Sequence, residues 1–126
     1  MSVNKERVQL LVDALRSGEY IQGYGHLETN SLYRPKRHCC LGVACRVAMN
    51  NGLKLDVSAA MGEWTFFNRT STSLPDEVMG WYGFDESDPV LIIEDEATST
   101  AINLNDNRGY NFIRIADAFE RTFLTD

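Results

Sequence analysis

The chain has 126 residues, 44% of them hydrophobic and 24% charged, and its 12 basic and 18 acidic residues give a formal charge of −6. This length and apolar content predict one domain with its own core and exclude a disordered chain. No apolar run approaches the roughly 18 residues of a membrane span, Met1 to Leu10 lacks a signal-peptide core, and the acidic total argues against a general nucleic-acid binder.

Asn4 is placed to cap a first helix, in which Val8, Leu11, Val12 and Leu15 recur at helical spacing and Gly18 is the stop. Glu19 to Leu27 interleaves aromatics with glycines and predicts a short strand or tight loop. Pro35 blocks helix continuation, so the second helix is expected to begin near His38 or Cys39 and to run to the Asn51-Gly52 stop. From Cys39 to Met49 its one charge is Arg46, which puts this helix at the centre of the fold.

Leu53 to Val57 and Glu63 to Phe67 lean towards strand, with a turn over 58–62 between them. Pro75, Asp76 and Glu77 mark a short third helix through Trp81, ended by Gly83. Val90 to Ile93 and Ser99 to Leu104 are expected to pair as strands across the acidic turn 94–96. A turn over 105–109 then leads to a last helix from Asn111, striped by Phe112, Ile115, Ala116, Phe119 and Phe123. The expected product is a single α+β domain, 1–126, with about four helices around a central apolar helix (39–50) and a small, mainly antiparallel sheet.

The charge is uneven along the chain. Residues 1–63 carry eight Lys/Arg and six Asp/Glu, whereas 64–126 carry four and twelve, so +2 stands against −8. The positive charge gathers in Arg34, Lys36 and Arg37, with His38, at the entrance of the central helix. Free N–H groups and the positive dipole end there favour a phosphate or carboxylate. Tyr20, Tyr24, His26 and Tyr33 are near enough in sequence to stack on a nucleobase, and Asn105 and Asp106 would read a hydroxyl, amide or ribose. Alternatively, the basic run pairs with the acids of 76–96 and ties the two halves of the chain together.

A cysteine nucleophile is a weaker candidate. Cys39 or Cys40 at a helix N-terminus, with His26 or His38 as base, has the required residue types, but free cysteines usually pack as small hydrophobes. Cys39, Cys40 and Cys45 are too few for a disulfide framework, and without C-x₂-C spacing they predict no metal site; no cofactor is expected either.

Several segments in order resemble a group of small accessory proteins of tailed bacteriophages: Ala14 to Tyr20 (ALRSGEY) with Gln22-Gly23, Cys39 to Cys45 (CCLGVAC), Leu74-Pro75, Trp81 to Phe84 (WYGF), Leu104-Asn105-Asp106, and Phe112-Ile113 with Ile115-Ala116. After the third cysteine, where members commonly carry an acid, this chain has Arg46. The resemblance implies a protein made in the host bacterial cytoplasm to alter the host or blunt its defences. Its partner would be a small anionic ligand or a host protein, and a homo-oligomer is allowed. Three modes of action follow. One is a non-enzymatic binder of a nucleotide-like anion, the second an inhibitor that presents the acidic 76–96 surface to a host enzyme, and the third a thiol hydrolase or transferase.

Overall fold

The computed structural model describes residues 2–31, 33–59, 63–94 and 97–125. Helix α1 (Lys5–Arg16) starts where the Asn4 side chain accepts the Arg7 N–H at 3.1 Å, and it buries the expected Val8, Leu11, Val12 and Leu15. The last helix, α5 (Phe112–Phe123), is capped in the same way by Asn111, whose side chain accepts the Arg114 N–H at 2.9 Å. It buries Phe112, Ile115, Ala116, Ala118 and Phe119 and packs along α1. The Arg16 guanidinium crosses between these two helices to Asp117 (2.8 Å) and Glu120 (3.2 Å).

Helix α2 (Cys40–Asn50) occupies the centre, with every residue from Cys40 to Cys45 buried. Gly42 explains how closely it sits against the chain beside it. A Cβ there would lie 1.6 Å from the Leu27 carbonyl oxygen, so only glycine permits this approach. Helix α3 (Asp76–Tyr82) ends at Gly83, whose φ of 82° belongs to the left-handed region. From α3 the Tyr82 hydroxyl donates to the Ala44 carbonyl of α2 at 2.7 Å.

The strands are short. In the first sheet, β1 (Ile21–Gln22) runs parallel to β3 (Arg37–His38), and β3 is antiparallel to β2 (Glu28–Thr29). A hairpin of β4 (Val57–Ala59) and β5 (Thr65–Phe67) joins this sheet through a single bridge from Thr29 to Trp64. The third pair is β6 (Val90–Ile92) with β7 (Thr98–Thr100). All pairs but β1–β3 are antiparallel, as expected of an α+β domain.

Two expectations require correction. Ser99 to Leu104 is not one strand: after Thr100 the chain turns into α4 (Ala101–Asp106), a fifth helix, and Thr100 caps it by accepting the Asn103 N–H at 3.2 Å. Asn105 and Asp106 therefore belong to a helix rather than a turn. The strand expected over 53–57 begins only at Val57, and it is exposed throughout. Residues 60–62 of the expected turn, and Asp95 and Glu96, lie outside the described residues.

Candidate functional site

Cross-strand partners place their side chains on the same side of a sheet. Gln22 faces His38 and His38 faces Glu28, and all three turn inward towards α2. Glu28 is 0% exposed, yet it is fully partnered. Its Oε1 accepts from His38 Nε2 (2.9 Å) and Arg46 Nε (2.8 Å), and its Oε2 accepts from Arg46 Nη2 (3.0 Å) and the Thr65 hydroxyl (2.5 Å). Lys36 Nζ approaches Oε2 at 3.6 Å. Burial pushes the Glu28 carboxyl pKa up, but the hydrogen bonds from His38, Arg46 and Thr65, helped by the Arg46 charge, outweigh it and hold the group well below the usual carboxylate range.

Within the basic run, Lys36 and His38 thus pair with Glu28. Among the described residues, no ion pair joins 34–38 to the acids of 76–96; Glu94 reaches Arg114 instead, at 3.8 Å.

A second inward network closes the entrance of α2. Asn105, 0% exposed, accepts from Cys40 N–H (3.3 Å) and Gln22 Nε2 (3.0 Å) through its Oδ1. Its Nδ2 donates to the Gly23 carbonyl (2.9 Å) and to Asp106 Oδ1 (2.8 Å), and the latter also takes the Gly25 N–H at 3.1 Å. The Cys39 side chain makes no cap hydrogen bond at the start of α2. The first amide of α2, that of Cys40, is therefore met by Asn105, and the residues from Cys40 to Cys45 that follow it are buried. Asn105 and Asp106 hold the 22–25 loop against α4.

The cysteines are all buried. Burial pushes the Cys39 thiol up to about 11 and pushes Cys40 and Cys45 up as well. Such thiols are poor nucleophiles near neutral pH. The candidate base His26 lies flat against Trp64 instead, with ring centroids 4.1 Å apart and planes 4° from parallel.

A domain of unknown function, DUF8296, matches residues 3–123. The chain belongs to the DUF8296 family. No curated protein and no solved structure matches it.

In this DUF8296 chain the expected binding residues separate into two groups. Lys36 and His38 turn to Glu28, Tyr20 lies edge-on to the His38 ring (5.1 Å), and Asn105 is buried. Arg34 and Arg37 are exposed and, among the described residues, have no acidic partner. Tyr24 and Tyr33 are exposed too, at 60% and 92%. Gly23, just before Tyr24, donates to the His38 carbonyl at 2.7 Å, which holds the 23–25 loop alongside Arg37.

Trp64, which is 41% exposed, was not among the residues expected from sequence to bind. Along 64–67, Thr65 and Phe67 are buried and Trp64 and Phe66 face out, an order that the sequence Trp-Thr-Phe-Phe does not signal. Elsewhere, an open groove of about 620 Å³ runs between the Asn68-Arg69 turn and the start of α3, lined by Asp56, Asp76 and Glu77. Among the described residues, no cluster of three or more His, Cys, Asp or Glu is arranged for a metal, and no helix is long and apolar enough to cross a membrane.

Proposed function

We propose that the protein is a non-enzymatic, stoichiometric binder of a small anionic, nucleotide-like ligand, used as a tailed-phage accessory protein in the host cytoplasm. The observation that carries this reading is the pair of exposed guanidiniums, Arg34 and Arg37, left without an acid among the described residues of a chain whose net charge is −6. An isolated cationic patch on an acidic surface attracts small anions, while the total charge discourages long polyanions. Exposed Tyr24 and Tyr33 lie in the adjoining loops. Buried thiols with raised pKa values favour binding over thiol catalysis, and the ALRSG, CCLGV and LND segments support the phage role.

Calorimetric titration with cyclic dinucleotides and ADP-ribose tests the proposal. At least one should bind, more weakly as salt rises and at least tenfold more weakly to an Arg34→Ala/Arg37→Ala variant. No heat with any of them would sink it.

A second reading has its own observation. Asp76, Glu77, Asp85 and Glu86 are exposed and, among the described residues, have no basic partner. This supports an inhibitor whose acidic surface meets a basic host enzyme. It predicts a partner captured from host lysate at low salt and released at high salt.

A further inference from the structure

The strand registers assemble a face that the tyrosines alone do not describe. Ile21 pairs with Arg37, Arg37 with Thr29, and Thr29 with Trp64, so one transverse row crosses four neighbouring chain segments. This row is opposite in sense to the inward row of Gln22, His38 and Glu28. Its members are exposed or half-exposed, and Phe66, two residues beyond Trp64 on the same side of β5, is 39% exposed. Trp64 and Arg37 lie two strand spacings apart, roughly 10 Å.

Trp64 is held for stacking. The parallel contact with His26 fixes its plane, and the Thr29 bridge fixes its backbone, so little side-chain freedom remains to be lost when another ring packs on it. The charge on the row selects what that ring carries. Arg37 would repel a cationic aromatic and attract an anionic one. Thr29 stands between them as a hydroxyl that can donate or accept.

We infer that the outward row is a nucleoside phosphate site, in which Trp64 stacks the base and Arg37 holds the phosphates. This rests on the anion-binding reading above and adds the ring-recognising residue and the ligand class. The net charge of −6 favours a free nucleotide over a polynucleotide.

Calorimetry with ATP and with inorganic tripolyphosphate, on wild type and on Trp64→Leu, separates this inference from its parent. Circular dichroism and a thermal melt confirm that the variant folds, and a Trp81→Phe background leaves Trp64 as the fluorescent reporter. Stacking contributes about 1–3 kcal/mol per base, so Trp64→Leu should weaken ATP about tenfold and leave tripolyphosphate unchanged, and ATP should quench Trp64 fluorescence. If tripolyphosphate and ATP bind equally and Trp64→Leu alters neither, the stacking site is wrong and the anion reading stands. If neither binds, the nucleoside phosphate site is overturned, and the anion reading falls with it only if cyclic dinucleotides and ADP-ribose give no heat either. If hexameric oligoadenylate binds more than tenfold tighter than ATP with the same dependence on Trp64, the assignment to a free nucleotide is overturned.

Discussion

The two sides of the β1-β3-β2 sheet treat charge in opposite ways. Inward, Glu28 is wholly buried and every oxygen is matched, by His38, Arg46 and Thr65 with Lys36 at the margin. Outward, one residue along each strand, Arg37 is exposed and Trp64 partly so, the arginine without an acid among the described residues. A run that looks uniformly basic in sequence is divided by the period of two: Lys36 and His38 turn to Glu28, whereas Arg37 faces solvent. A buried ion cluster tolerates little change because each member satisfies another, while an exposed side chain with no partner can be exchanged freely.

The inward side should break most completely at Gly42. Any side chain there must displace the Leu27 backbone, whose carbonyl accepts the Cys39 N–H at 3.2 Å and immediately precedes Glu28. Overpacking usually costs about 1–3 kcal/mol, and a collision with backbone belongs at or above the top of that range. Gly42→Ala should therefore lower the urea midpoint more than Glu28→Gln or Asn105→Ala does. A midpoint within error of wild type would show that α2 does not need this close approach.

Glu28→Gln should be next. It keeps the shape but leaves Arg46 and His38 facing a neutral amide, and removing one member of a buried ion pair typically costs roughly 3–5 kcal/mol; with Arg46 partly exposed, about 3 is expected. The pH dependence has a definite sign. A carboxyl held low in the folded state contributes stability that is present above its unfolded value of 4.5 and is lost as pH falls from there. Wild type should lose stability steeply below about pH 5, and Glu28→Gln should lose much less over the same range. Parallel curves for the two proteins would contradict the assignment.

Asn105→Ala tests the second inward network and should cost about 2 kcal/mol, because Cys40 N–H and the Gly23 carbonyl lose their partner in a buried place. Thermal or urea unfolding measures it. A loss under about half that would mean water replaces the amide easily.

Much of this architecture could be read from spacing alone. Asn4 and Asn111 announced α1 and α5, and the near-absence of charge from Cys39 to Met49 announced the central helix. What escaped depended on distant contacts. Glu28, inside HLET, looks like any surface acid, since Arg46 and Thr65 meet it from 18 and 37 residues away. Helix α4 was masked because its inward residues are Ala101, Leu104 and Asn105. They have helical spacing, but a buried asparagine does not register as apolar, and the remaining pattern alternates like a strand. The candidate site was legible as residue types and not as places: the basic run was apparent, its division between two faces was not, and Trp64 was hidden in a segment that reads as ordinary core strand.

The smallest expected effect on stability is the most discriminating. Lys36 and Arg37 are neighbours of the same charge on opposite sides of the comparison. Lys36→Ala removes an ion pair to Glu28 at 3.6 Å from a side chain that is itself 56% exposed, so solvent screening leaves it under about 1 kcal/mol. Arg37→Ala removes no pairing among the described residues, and its urea midpoint should match wild type to within about 0.5 kcal/mol. Its ligand affinity should behave in the reverse order, with Arg37→Ala weakening ATP and Lys36→Ala changing it less, because the Lys36 charge is already engaged with Glu28. If Arg37→Ala proved as destabilising as Glu28→Gln, the outward row would be part of the scaffold and the distinction between the two faces would collapse.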